Sequence, residues 1–154
     1  MFGTLIAVSL AAALTGAASA QIPGEGTRMT AAELAAAVAK VGPSGSVNAL
    51  VPTGPGATVL IVRREAEGEV EVHDKVNDEF VVQSGHASVR VGGKVEGARQ
   101  TAPGEWRGGV VVGGKIHELG PGDVLWIPAG SPHQVLTPKG GPFLYLAVKF
   151  DAKP

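Results

Sequence analysis

The segment 122–133 constrains this chain more than any other, because residue type prescribes nearly every turn in it. It reads Gly122-Asp123-Val124-Leu125-Trp126-Ile127-Pro128-Ala129-Gly130-Ser131-Pro132-His133. A Gly-Asp turn leads into a short apolar strand. Pro128 and Gly130 then bend the chain before a second strand opens at His133. Glycine reaches backbone angles closed to other residues, and proline fixes φ while removing a donor. The direction of the His133 imidazole is therefore set by the backbone.

The rest of the chain reads as short strands joined by tight turns. With 23 glycines and 11 prolines in 154 residues, long regular helices have little room. Apolar runs or alternation predict strands at 57–63, 68–73, 78–83, 86–91, 108–112, 115–119, 124–127, 133–137 and 143–150. Ser84-Gly85 reads as a turn between two of these, and Gly113-Gly114 as the turn of a hairpin. Thr30-Ala31-Ala32-Glu33 is a capping box, followed by Leu34, Val38 and Val41 at helical spacing and then Gly42-Pro43 as a stop. That predicts one short helix lying on the outside of a sheet. The stretch 92–114 is polar and rich in glycine, and reads as a long loop or hairpin insertion carrying Arg99, Trp106 and Arg107.

Residues 1–20 contain no charged residue and end Ala18-Ser19-Ala20 before Gln21, which reads as a secretory signal peptide cut after Ala20. No Lys or Arg stands near Met1, a departure from the usual pattern that leaves an uncleaved lipid-facing segment, or a start codon assigned in the wrong place, as alternatives. The expected organisation is thus a signal peptide over 1–20, an N-terminal segment with a helix over 21–56, and a barrel domain over 57–150, working in the periplasm or outside the cell. All 13 basic and 14 acidic residues lie after Ala20, so the mature chain is close to neutral and offers no basic face to nucleic acid or to a membrane. The absence of cysteine excludes thiol chemistry and disulfides. There is no Gly-x-Ser-x-Gly and no P-loop, so serine hydrolysis and nucleotide chemistry have no footing.

The spacing Gly122-x5-Pro128-x-Gly130-x2-His133 resembles the second sequence motif of the cupin superfamily, with Thr137 where that family often has Asn. The resemblance implies an all-β fold, a cupin-type jelly-roll β-barrel with one short N-terminal helix, often a dimer, with His133 as a metal ligand. The first cupin motif, approximately His-x-His-x(3,4)-Glu-x6-Gly, aligns best as Glu71-x-His73-x4-Asp78-x6-Gly85. Glu71 then stands at the first histidine's position and Asp78 at the acidic one. A competing register uses His73, Lys75 and Glu79, but a charged lysine cannot ligate and Glu79 breaks the glycine spacing. Strand parity agrees with the first register: Asp78, Phe80 and Val82 share one face, and Glu71 and His73 share another.

The expected metal ligands are His73, Asp78 and His133, with Glu71 either a fourth ligand or a general base beside them. Such a set suits Fe, Mn, Ni or Zn as a divalent ion, without choosing among them. Paired with the carboxylates inside a barrel, the same histidines would also be satisfied without metal. Two functional readings therefore stand. One is a metal-dependent enzyme acting on a small oxygen-bearing molecule in the manner of a dioxygenase, isomerase or lyase. The other is a non-catalytic module that binds a small ligand or only supports structure. Exposed strand edges point to a homodimer. Among the other singled-out residues, His86 and His117 read as surface histidines, Trp126 as core or dimer interface, and Tyr145 as core or cavity lining. Arg99 and Arg107 read as loop arginines that could grip a carboxylate.

Overall fold

The computed structural model describes residues 26, 28–48 and 56–152. The expected signal peptide lies outside them. The helix α1, Ala31–Val38, is followed by twelve strands: β1 Ser46–Asn48, β2 Ala57–Arg64, β3 Glu71–His73, β4 Val76–Val91, β5 Lys94–Glu96, β6 Arg99–Ala102, β7 Glu105–Arg107, β8 Val110–Val112, β9 Lys115–Leu119, β10 Val124–Ile127, β11 His133–Val135 and β12 Lys139–Asp151. Among the described residues no helix is long and apolar enough to cross a membrane.

The capping box forms as expected. The Glu33 amide donates to Thr30 Oγ1 at 3.2 Å, and Glu33 Oε2 accepts from the Thr30 amide at 2.7 Å. The helix then covers the outer face of the sheet, where Ala37, Val41 and Ile61 are buried with Leu34, Leu144 and Leu146 packed against them.

Strand β4 organises the barrel because it belongs to both of its sheets. Its first half pairs with β12 and β10, for example Phe80 opposite Ala147 and opposite Leu125. Its second half pairs with β9 and β11, for example Val89 opposite His117 and opposite Val135. The strand continues through Ser84-Gly85 without reversing, so the turn expected there is absent. Gly85 is instead a bend at φ +78°, where a Cβ would run into the Pro142 carbonyl and the Phe143 backbone. The β12–β4 register breaks at the same place: Leu144 faces Ser84, whereas Lys139 faces His86. A glycine that reads as a reversal in sequence serves here as a bulge that curls one strand from sheet to sheet.

The hairpin expected at Gly113-Gly114 is also absent. β8 pairs with β5 and β9 pairs with β4, so the two segments flanking these glycines part rather than fold back. The insertion is structured. β6 and β7 form a hairpin, and β7 adds to β3 with Glu71 opposite Arg107 and His73 opposite Glu105. Between the two faces lies the core, in which Phe80, Val82, Val89, Ile127, Phe143 and Tyr145 are buried. Trp126 sits outside it, 47 % exposed and stacked on Phe150 at 5.2 Å between ring centroids.

Replacing Gly85 by alanine is expected to cost about 2–3 kcal/mol or more, since left-handed strain adds to the contact with β12. Gly113→Ala, at φ +77° with open space around its Cβ, should cost only the strain, about 1 kcal/mol. Urea unfolding of the two variants checks this, and equal losses would contradict the close crossing of β12 over Gly85.

Candidate metal centre

Each polar side chain inside the barrel arrives from a strand whose register fixes its place. β3 carries Glu71 and His73, with the partly exposed Glu71 and the buried His73 on either side of Val72. β4 brings in Asp78, which is 1 % exposed, ahead of the buried Phe80 and Val82 on the same face. Glu79, the acid of the competing register, lies on the other face and is only half-buried.

His133 is delivered by its frame as the sequence suggests. Gly122 and Gly130 take φ of +88° and +77°, and Gly120 N–H donates to Asp123 Oδ2 at 2.8 Å. Beyond Pro128, the Gly130 amide donates to the His73 carbonyl at 2.8 Å and the Ala129 amide to Asn77 Oδ1 at 3.0 Å. The turn that positions one histidine is thus pinned to the backbone of the other. His133 faces Glu71 across the β11–β3 pairing.

Both imidazoles are anchored through Nδ1 with Nε2 turned inward. His133 Nδ1 lies 3.1 Å from the Ser131 carbonyl, which accepts its hydrogen. His133 Nε2 is buried without a hydrogen-bond partner. His73 Nδ1 lies 2.6 Å from Glu105 Oε2. An acceptor on Nδ1 fixes the tautomer that exposes a lone pair on Nε2, as metal-ligating histidines require. Glu71, His73 and His133 each offer a ligand atom, and the three atoms lie within 4.8 Å of one another. Two imidazoles and a carboxylate, with an unsatisfied nitrogen among them, fit a divalent transition metal.

Asp78 stands beside this group, with Oδ2 3.4 Å from Nε2 of both His73 and His133. Its oxygens, however, are both taken by Lys149, whose Nζ lies 2.7 and 2.6 Å from them. The same Nζ is 2.9 Å from His73 Nε2. In the structure, then, Asp78 is the partner of a lysine, and Glu71 rather than Asp78 completes the compact group with the two histidines.

The charges settle one another. Burial works against ionisation of Asp78, but the His133 and His73 rings 3.4 Å away and the Lys149 ammonium hold its carboxyl far below the usual range. Glu71 is pushed up by burial and brought down, to about 2, chiefly by its contact with His73 and by Arg107. Burial disfavours a charge on His73, yet Asp78 and Glu71 hold its proton and raise its pKa to about 9, against the Lys149 ammonium. A hydrogen bond at 2.9 Å between the His73 and Lys149 nitrogens needs a hydrogen on one and a lone pair on the other. That pair therefore carries one positive charge towards Asp78. Burial also pushes the Tyr145 phenol above its ordinary range, so it stays neutral. Arg64 and Arg107 reach Glu71 at 3.6 and 3.3 Å.

Two cavities meet at Lys149. One, of about 130 Å³, runs from Arg64, Glu71 and Arg107 over Phe80 and Tyr145; the other, of about 250 Å³, opens past Thr58, Glu105 and Asp151. Tyr145 therefore lines a cavity as well as packing on Phe80. His86 is exposed and His117 half-buried opposite Val89; neither belongs to the group that could hold a metal. Glu105 and Lys149 escape motif reasoning. The signal for Lys149 is its parity with the buried Phe143, Tyr145 and Ala147 on one strand face.

Comparison with known proteins places this architecture. The family model described as the AraC-like ligand binding domain matches residues 107–153, less than half of the chain. A protein with a double-stranded β-helix domain from Klebsiella pneumoniae is similar in structure, with a TM-score of 0.53 and 19 % identity over 76 % of this chain and 83 % of that one. A cupin-2 domain from Rhodospirillum rubrum gives 0.51 at 15 % identity, covering 73 % and 64 %. The oxalate decarboxylase of Lactobacillus farciminis, solved with formate, gives 0.50 at 18 % identity over 72 % of this chain but only 30 % of its own. Identities this low speak for the fold alone. No curated protein sequence matches the chain.

A carboxyl whose folded pKa is depressed contributes stability above its unfolded value and loses it as pH falls through the folded one. Glu71 drops from 4.5 to about 2 and Asp78 falls from 3.8, so metal-free protein should lose stability steadily below about pH 4.5. Melting curves between about pH 5 and pH 2 should be steep for the wild type and shallower for Glu71→Gln. Parallel curves would contradict the assigned partners of Glu71.

Proposed function

For a barrel with the cupin fold, we propose that a divalent metal ion is bound by Glu71, His73 and His133 and that the protein acts on a small oxygen-bearing molecule in the adjoining cavity. The observation that carries this reading is the buried, partnerless Nε2 of His133, aimed where His73 Nε2 and the Glu71 carboxylate also point. An ion there would supply Lewis acidity to an oxygen of the bound molecule.

The chain's own residues supply the rest. Glu105 and the Ser131 carbonyl hold the two rings in orientation. Phe80 and Tyr145 give the cavity an apolar wall that excludes water. Arg64 and Arg107 flank Glu71 with donors suited to a carboxylate, which favours a small organic acid. Lys149, at the junction of both cavities, can give a proton to a ligand oxygen or hold its charge. Residues 1–20 add the reading that the barrel works after export, and exported protein beginning at Gln21 would be its mark.

A second reading has its own support. The Lys149 ammonium already satisfies the Asp78 carboxylate, which suits a module that binds a small ligand without metal and without turnover.

Metal analysis of protein purified without a histidine tag or chelating column separates the two. The first reading expects close to one equivalent of a transition metal in the wild type and its loss in His133→Ala. Metal-free wild-type protein with an intact barrel would leave the second reading.

A further inference from the structure

Lys149 stands where the metal's own charge would act. It is 20 % exposed at its side chain, and its Nζ contacts both Asp78 oxygens at 2.7 and 2.6 Å and His73 Nε2 at 2.9 Å. The contact is imposed by the backbone, since Lys149 and Asp78 face each other in the β12–β4 register. Three carboxylates, Glu71, Asp78 and Glu105, are met by three side-chain cations, Arg64, Arg107 and Lys149. The centre is therefore balanced before any metal enters. His73 Nε2 has one lone pair, and it cannot serve an ammonium and a metal ion at once.

From this exclusion we propose that Lys149 is a built-in competitor of the metal: its ammonium holds the centre in metal-free protein and must leave Asp78 and His73 before an ion can bind. The inference rests on the metal reading given above. The lysine has somewhere to go. The cavity of about 250 Å³ on its outer side is lined by Glu105 and by Asp151, which lies two residues along the same strand. A chain with four methylene groups can swing between the two positions without moving the backbone. Once it swings, Asp78 is a bare buried carboxylate 3.4 Å from both histidine nitrogens, and it either joins the ligands or balances the ion's charge. Lys149 would thus lower metal affinity and keep the empty site folded.

Titration of full-length, EDTA-dialysed protein with Mn(II) by calorimetry tests this. Lys149→Met should bind Mn(II) at least about tenfold more tightly than the wild type, because no buried ion pair has to be broken. Without metal the same variant should melt below the wild type, and Mn(II) should restore it. Equal affinities would overturn the proposal and leave the metal reading standing. Absence of binding in both proteins would overturn the two together. Should Lys149→Met fold poorly around an unpaired Asp78, Asp78→Asn and the double variant Asp78→Asn/Lys149→Met pose the same question without a stranded charge. Tighter binding by the double variant supports the proposal, and equal binding overturns it.

Discussion

A carboxylate buried to 1 % exposure has to be met by positive charge, and the interior of this barrel is arranged around that demand at Asp78. An unpaired buried ion costs several kcal/mol, more than most single contacts return. Lys149 comes from the neighbouring strand in register, His73 from β3 and His133 from β11. Glu105 and Glu71 then hold the His73 ring, and Arg64 and Arg107 answer Glu71 in turn. The result is a closed network in which each residue's state depends on its neighbours.

The network can exist only because β4 serves both sheets. Gly85 lets that strand bend from the β12 side to the β11 side, so Asp78 sits beneath one sheet while the histidines reach it from the other. The turn around Gly130 is then held by the His73 carbonyl, which couples the placement of the two imidazoles. Fold and site therefore share a skeleton, and a change at a bend far from the rings would be felt at their Nε2 atoms.

The barrel was legible in the sequence because alternation and turn chemistry are local. The capping box, the inward face of Asp78, Phe80 and Val82, and the frame of His133 all rest on spacing within a few residues. Ser84-Gly85 and Gly113-Gly114 misled for the opposite reason: a glycine marks a special backbone angle, but whether that angle reverses a strand, bends it or parts it is decided by the strand packed alongside. The candidate site was legible to the same extent. Glu71, His73, Asp78 and His133 do gather, since two of them share a strand face and the others follow parity. That Lys149 claims the Asp78 oxygens, and that Glu105 and Arg107 reach in from the insertion, depends on pairings between distant strands that spacing does not carry.

In the proposed centre the Nε2 atoms of His73 and His133, with Glu71, surround one cation position from which Lys149 is displaced. Diffraction from a crystal grown with Mn(II), recorded at the manganese absorption edge, tests it most directly. A single strong anomalous peak is expected, bonded to both Nε2 atoms and to the Glu71 carboxylate, with the Lys149 side chain turned towards Asp151. A barrel with no peak there and Lys149 still on Asp78, or a peak elsewhere, would contradict it.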